Sequence, residues 1–418
     1  MEKLEITGDK KLQGSINISG SKNASLPILA ASILSNKIIL KNVPAVRDID
    51  TMLELLISLG SVIKINKNKK TIIINNHKIN KTHANYKLVK TMRAGILVLG
   101  SLLSRFNKAK VSLPGGCAIG LRPVNIHIDA LKKMGVKVKI IDGYIHAVAK
   151  NGLKGAKIKF QKISVGATEN LLIAAVKAKG RTVLSNCAIE PEVKDLCNFL
   201  IKLGGKIKWI GKRKIQIDGI KKLKDINYKI MFDRIEAGTY MIVAAATKGR
   251  IAIKNINPKI INKEIFILKK IGVKIIEKKN KITVIGPKIL KNINIKTSPY
   301  PGFPTDLQAQ LMALMCIANK QSIIEENIFE NRFMHVSELN RMGADIVVKG
   351  RKAIIKGNKK LNGAELMATD LRASVSLVIA ALISNKKSTI NRIYHLDRGY
   401  ENIEKKLSKC GAKIKRIK

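Results

Sequence analysis

Apolar residues along this chain follow two alternating spacings. Stretches such as Val136-Lys137-Val138-Lys139-Ile140 repeat every second position, the period of a half-buried strand, and the segments between them repeat at helical spacing. One signature recurs six times where a helix gives way to a strand. Its copies are Leu56-Ile57-Ser58-Leu59-Gly60, Leu131-Lys132-Lys133-Met134-Gly135, Leu200-Ile201-Lys202-Leu203-Gly204, Leu268-Lys269-Lys270-Ile271-Gly272, Leu339-Asn340-Arg341-Met342-Gly343 and Leu407-Ser408-Lys409-Cys410-Gly411. The glycines stand 68 to 75 residues apart. Each is expected to end its helix in the left-handed conformation, and sixfold self-similarity of this kind defines the architecture before anything else does.

A second element falls earlier in each copy: a helix start containing Ala, at Lys22-Asn23-Ala24, Met92-Arg93-Ala94, Gly166-Ala167, Glu236-Ala237, Gln308-Ala309 and Arg372-Ala373. The helices that follow, such as Leu26 to Leu34, Ile96 to Leu103, Leu171 to Val176 and Val375 to Leu382, are apolar on most faces and are expected to be buried. Each copy then reads as strand, buried helix, strand, amphipathic helix, Gly turn and strand. Two triplets of copies make two domains of ordinary size. A solenoid is disfavoured, because a helix apolar all round needs cover on every side.

Composition changes this picture little. Hydrophobic residues make up 46% of the chain, enough for packed cores, and no apolar run approaches a membrane span of ~20 residues. The start, Met1-Glu2-Lys3-Leu4-Glu5-Ile6, is charged where a signal peptide needs an apolar stretch, and the five cysteines show neither disulfide nor metal-ligand spacing. A cytoplasmic protein without metal is expected. The formal charge of +50 invites a nucleic-acid reading. The cations are mostly Lys scattered through every repeat, with abundant Ile and Asn and few aromatics for stacking. Codon bias in an A/T-rich genome produces that pattern, so no nucleic-acid partner is expected.

Three features point to chemistry. In Leu113-Pro114-Gly115-Gly116-Cys117-Ala118-Ile119-Gly120-Leu121-Arg122-Pro123, three glycines surround one thiol, and a nearby Arg and helix start favour its thiolate. The bland reading of Cys117 is a small apolar turn residue, and the glycines favour a reactive one. Secondly, Lys22, Arg93, Arg122, Arg332, Arg372 and Arg398 fall at or just before expected helix starts, the end of the macrodipole that repels cations. Repetition of that arrangement suits a substrate bearing several phosphates or carboxylates, against a background of ordinary surface charge. Thirdly, Asp306 in Gly302-Phe303-Pro304-Thr305-Asp306 leads into a buried helix as an N-cap, a catalytic base or both, and the same ambiguity covers Asp233, Glu236 and Asp370. His127 and His335 have no partner at metal-ligand spacing.

Taken together, Ser19-Gly20-Ser21-Lys22-Asn23-Ala24, Pro114-Gly115-Gly116-Cys117, Ser164-Val165-Gly166-Ala167-Thr168, Phe303-Pro304-Thr305-Asp306, Glu330-Asn331-Arg332-Phe333-Met334-His335 and Thr369-Asp370-Leu371-Arg372-Ala373 resemble the enolpyruvyl transferase family. The likeness runs over essentially the full length. It implies two inside-out α/β barrel domains, each of three βαβαββ-type units around buried parallel helices. One domain is expected over residues 22–228, the other over 1–21 with 229–418, with the active site in a cleft.

The resemblance also implies an activity. The branch acting on UDP-N-acetylglucosamine adds the sugar 3-hydroxyl to C2 of phosphoenolpyruvate while C3 is protonated, and the tetrahedral ketal then expels phosphate. Cys117 matches the loop cysteine that resembles a proton donor, forms an adduct with phosphoenolpyruvate and is alkylated by fosfomycin. Asp306 matches the proposed base. Lys22, Asn23, Arg122 and Arg398 match the phosphoenolpyruvate site, with Asp370 and Arg372 in the same layer. Asn23, Arg93, Arg122, Pro123, Val124, Asn125, Ile126, Lys162, Ile163, Ser164, Val165, Gly166, Asp306 and Ile328 match positions holding the nucleotide sugar. The family usually has Asp where this chain has Asn125, from which weaker nucleotide binding is expected. The branch acting on shikimate 3-phosphate lacks the Cys117-type loop, and a basic RNA-binding repeat protein leaves Cys117 and Asp306 unexplained. No cofactor is implied.

Overall fold

In the computed structural model the described residues are 2–418 apart from 67, 69 and 116–123. Cys117, Arg122 and Pro123 therefore lie outside the described residues. The strands form six four-stranded sheets of one plan. In the sheet built on Lys157–Lys159, that strand runs parallel to Arg181–Ser185, which pairs antiparallel with Lys214–Asp218, which pairs in turn with the outer strand Lys206–Gly211. Each repeat thus supplies strand, helix, strand, helix and hairpin. The six signature glycines all adopt positive φ, from 86° at Gly135 to 110° at Gly60, the conformation that turns each amphipathic helix into its hairpin.

Three sheets borrow a strand from elsewhere in the chain, and two of these borrowings divide the molecule. Gln13–Asn17 pairs with Arg250–Lys254, and Ile226–Lys229 pairs with Lys37–Lys41. The chain separates into two compact units at these crossings, one made of the N-terminal stretch to Ser19 with Phe232–Lys418, the other, among the described residues, of Gly20–Gly115 and Val124–Met231. In the first unit Lys3–Thr7 completes the sixth sheet between Lys387–Asn391 and Lys413–Ile417. The crossing segments are tied within their own units: Ser21 N–H donates to Met231 O at 2.8 Å, and Asp233 N–H to Ser19 O at 2.9 Å.

Each unit is organised around helices with no solvent face. Lys22–Ser32, Val98–Phe106 and Val165–Ala175 form the centre of one; Arg234–Ala246, Gln308–Met315 and Leu371–Leu382 form that of the other. The stretch expected as one helix from Ile96 begins as a 3-10 turn, Arg93–Leu97, before becoming α-helical. Several hydroxyls on these helices donate to their own backbone, as Ser25 to Ser21 O, Thr168 to Ser164 O and Thr239 to Ile235 O. Between helices, Asn170 Oδ1 accepts the Gly100 N–H at 2.8 Å.

The outer strand of every sheet carries exposed lysine: Lys64, Lys137, Lys206, Lys274, Lys349 and Lys413 among them. Charge there blocks edge-to-edge pairing, a structural use for part of the basic excess. No helix among the described residues is long and apolar enough to cross a membrane. At Gly100 a Cβ would stand 2.3 Å from Asn170 Oδ1, inside van der Waals contact. Gly100→Ala is therefore expected to lower the denaturant midpoint by an amount worth about 1–3 kcal/mol, and an unchanged midpoint would show that this helix contact yields freely.

Candidate active site

Many of the candidate residues stand at the starts of the buried helices, and capping decides which side chains serve the backbone. Ser21 accepts the Ala24 N–H at 3.2 Å and Ser164 the Ala167 N–H at 3.2 Å. Asp233 accepts the N–H groups of Ile235 and Glu236 at 2.9 and 2.8 Å, and Asp370 those of Arg372 and Ala373 at 2.8 and 3.1 Å. These two aspartates take the N-cap role. Glu236 instead is buried and paired with Lys406; burial pushes its carboxyl up against the pull of that lysine.

Asp306 caps no helix. It lies in the 3-10 turn Thr305–Leu307, whose cap residue is Pro304. Its Oδ1 accepts from Arg332 Nη2 at 2.9 Å and its Oδ2 from Arg372 Nη2 at 2.8 Å. The two guanidinium side chains are 4% and 6% exposed and the carboxylate 26%, so a charged acceptor faces solvent with buried cations behind it. Burial alone would lower the Arg372 pKa, but Asp306, Tyr400 and Asp233 reverse that and hold it above the ordinary arginine value. Its guanidinium is a fixed charge.

The expectation that cations at helix starts await an incoming anion needs correction here. The protein itself supplies carboxylates to three of them: Asp306 pairs with Arg332 and Arg372, and Asp48 with Lys22 at 3.3 Å. Arg398 also differs, closing the 3-10 helix Ile393–Arg398 instead of opening a helix. His335 lies on the cap position before Val336–Arg341. Burial, then the opposing pulls of Asp370 and Arg332, leave its imidazole at about 4, so it is neutral near pH 7.

In the other unit, Lys22 and Asn23 open Lys22–Ser32, Arg93 opens Arg93–Leu97, and Asn125 and Ile126 begin Asn125–Lys133 just after Val124. That last helix packs on Val165–Ala175, which follows Lys162, Ile163 and Ser164 and begins with Val165 and Gly166. Between the two helices sits His127, whose Nδ1 lies 3.0 Å from Asn170 Nδ2. Asn170 Oδ1 is already an acceptor for Gly100, so its amide nitrogen donates and His127 is assigned the Nε2-protonated tautomer. Burial, reinforced by Arg93, lowers its pKa to about 4.

Sequence patterning missed the supports. Glu326 is buried; its Oε2 accepts from Thr305 Oγ1, beside Asp306, at 2.9 Å, and its Oε1 takes the Ile328 and Phe329 N–H groups at 2.8 and 3.1 Å. One carboxylate thereby fixes both the Asp306 turn and the loop containing Ile328 that leads to Arg332. Asp48 and Tyr400 were missed equally: a buried acid or phenol carries no local signal until the fold shows what it faces. Among the described residues no group of three or more His, Cys, Asp or Glu is arranged to hold a metal ion.

Six sheets wrapped on two sets of buried helices, with Asp306 backed by arginines, define the enolpyruvyl transferase class of α/β proteins, and the chain belongs to it. The family model described as EPSP synthase (3-phosphoshikimate 1-carboxyvinyltransferase) matches residues 6–407. The chain is 68% identical, over 418 residues and the whole of both chains, to the UDP-N-acetylglucosamine 1-carboxyvinyltransferase of Pelagibacter ubique (strain HTCC1062). It is 54% identical, again over both full lengths, to the protein of that name from Rickettsia prowazekii (strain Madrid E). Among solved structures, the enolpyruvyl transferase NikO from Streptomyces tendae shares the fold with a TM-score of 0.89 at 22% identity, covering 99% of this chain and 98% of that one. EPSP synthase from Acinetobacter baumannii superposes with a TM-score of 0.77 at 19% identity over the whole of both chains.

The His127 geometry gives a pH prediction. Its folded pKa, about 4, lies below the ordinary 6.5, so its contribution is fully present above pH 6.5 and is lost as pH falls toward 4. Between pH 7 and pH 5, wild type is expected to lose on the order of 2 kcal/mol more stability than His127→Gln. Equal losses in urea titrations at the two pH values would mean that His127 charges freely in the fold.

Proposed function

We propose that this chain transfers the enolpyruvyl group of phosphoenolpyruvate to the 3-hydroxyl of UDP-N-acetylglucosamine, with release of phosphate, the first committed step of peptidoglycan synthesis. The observation that carries the reading is the 68% identity, end to end, with a carboxyvinyltransferase named for that acceptor. The assignment of roles rests on the motifs and on the geometry of each unit. Asp306 is the base: it is anionic, reachable from solvent, and turned away from helix capping. It takes the proton of the 3-hydroxyl as that oxygen bonds to C2 of phosphoenolpyruvate and C3 gains a proton. Cys117 is the donor to C3. Loss of a C3 proton with the C2–O bond to phosphate then regenerates the enol ether.

Lys22, Asn23, Arg122 and Arg398, with Asp370 and Arg372, serve the phosphate and carboxylate of phosphoenolpyruvate. Fixed cations of this kind stabilise charge that develops in the transition state. Arg93, Arg122 to Ile126, Lys162 to Gly166, and Ile328 hold the nucleotide sugar. The positive end of the Val165–Ala175 helix suits a diphosphate. The enzyme works in the cytoplasm on small molecules and is the target of fosfomycin.

The deciding assay is phosphate release from phosphoenolpyruvate with UDP-N-acetylglucosamine or shikimate 3-phosphate as acceptor. Release with the nucleotide sugar alone, abolished by fosfomycin, is expected; release with shikimate 3-phosphate alone would transfer the chain to the other branch. Asp306→Ala is expected to lower turnover at least ~100-fold, the lower range for loss of a general base, while the nucleotide sugar still binds by calorimetry. Near-normal turnover would remove Asp306 from the role of base.

A further inference from the structure

Tyr400 is a side chain behind the Asp306 site whose role neither the motifs nor the family likeness assigns. It is 2% exposed, and its hydroxyl meets three polar groups. Thr239 Oγ1 lies 2.8 Å away, Arg372 Nη1 3.1 Å and Gln310 Nε2 3.3 Å. Gln310 Nε2 also donates to the backbone oxygen of Asp306 at 2.8 Å.

The direction of every bond follows from proton counting. Thr239 gives its own proton to Ile235 O at 2.9 Å, so toward Tyr400 it accepts. The Tyr400 proton therefore points at Thr239. Arginine and the amide nitrogen only donate, so the Tyr400 oxygen accepts from Arg372 Nη1 and shares the second Gln310 Nε2 proton with Thr239 Oγ1, 3.3 Å from that nitrogen. Arg372 is thereby split: Nη1 is engaged by a neutral phenol, and Nη2 alone reaches Asp306. An arginine beside a carboxylate frequently closes on it with two parallel donors.

We infer that Tyr400 is a positioning residue for the transfer reaction, holding Arg372 open so that it touches Asp306 through one nitrogen and leaves the carboxylate oriented and basic enough to accept the hydroxyl proton. The inference rests on Asp306 as the base. Local packing supports it. The residue before Tyr400 is Gly399, where a Cβ would come within 2.7 Å of Leu371 Cδ2, so the absence of a side chain lets the Tyr400 segment lie against the start of the helix carrying Arg372. The charged and titratable groups around this cluster are Arg332 on Asp306, Asp233 acting on both Arg372 and Tyr400, Asp370 at the helix start, His335 between Asp370 and Arg332, Tyr240 near Tyr400, and Glu326 on the Thr305 hydroxyl. Tyr400→Phe leaves all of them in place and removes one oxygen.

Without that oxygen the Arg372 fork is free to close on Asp306 with both nitrogens. The expected result for Tyr400→Phe is a fall in kcat of about 10- to 100-fold, an unchanged KM for the nucleotide sugar, and an acid limb of the kcat profile displaced about 1 pH unit downward. Thr239→Val, which removes the acceptor that turns the phenol proton away from Arg372, is expected to move the limb the same way by less. A purely structural role for Tyr400 would lower the melting temperature without moving the limb. An acid limb that stays in place or moves upward in folded Tyr400→Phe overturns the inference; if that variant does not fold, an unmoved limb in Thr239→Val does so. Asp306→Ala separates the two readings. Loss of turnover there with an unmoved limb in Tyr400→Phe refutes the positioning role alone, and retained turnover in Asp306→Ala refutes the base assignment beneath it.

Discussion

The structure depends on burying helices that have no polar face. A helix such as Leu371–Leu382 or Val165–Ala175 is stable only where other groups cover it all round, because apolar side chains dominate on most of its faces. Four-stranded sheets provide that cover, one for each repeat. The interior is then filled by helices and walled by sheets, the reverse of the common order in α/β proteins. The backbone amides at the helix starts have no intrahelical partner and must be served by caps or left for a ligand.

Function follows from how those starts are served. Ser21, Ser164, Asp233 and Asp370 satisfy amides with side-chain oxygens. Asp306, at an equivalent place in its repeat, leaves that task and pairs with Arg332 and Arg372. Cations at the positive end of a helix are unfavourable in isolation. Asp48 and Asp306 offset that charge inside the protein, so the arginines and Lys22 are held in place before any substrate arrives. Preorganised charge needs no rearrangement at the moment of reaction, the property that electrostatic catalysis requires. Glu326 and Tyr400 lie one step further out, each fixing the position of groups that touch Asp306.

The basic excess has a consequence separate from catalysis. Lysines on the outer strands, Lys137 and Lys206 for example, stand at exposed edges where unpaired backbone would otherwise invite another strand. Six sheets present many such edges.

The sequence by itself determined the repeats, the helix ends and the candidates for chemistry. A Gly in the left-handed region, an apolar helix and an alternating strand are local devices, set by backbone sterics and side-chain spacing, and the six glycines and the central helices lie where their patterns put them. The candidates Asp306, Arg332 and Arg372 were visible as residue types at helix starts. Only the tertiary structure decided their roles. It chose N-cap for Asp370 and ion pair for Asp306, set Arg398 at the end of a turn, and found Asp48, Glu326, Thr239 and Tyr400 as partners. These contacts join residues far apart in the chain, Tyr400 to Thr239 and Arg372 to Asp306. Hydrogen bonds and ion pairs depend on separations of about 3 Å, and no local pattern of polarity records which distant side chain will come that close.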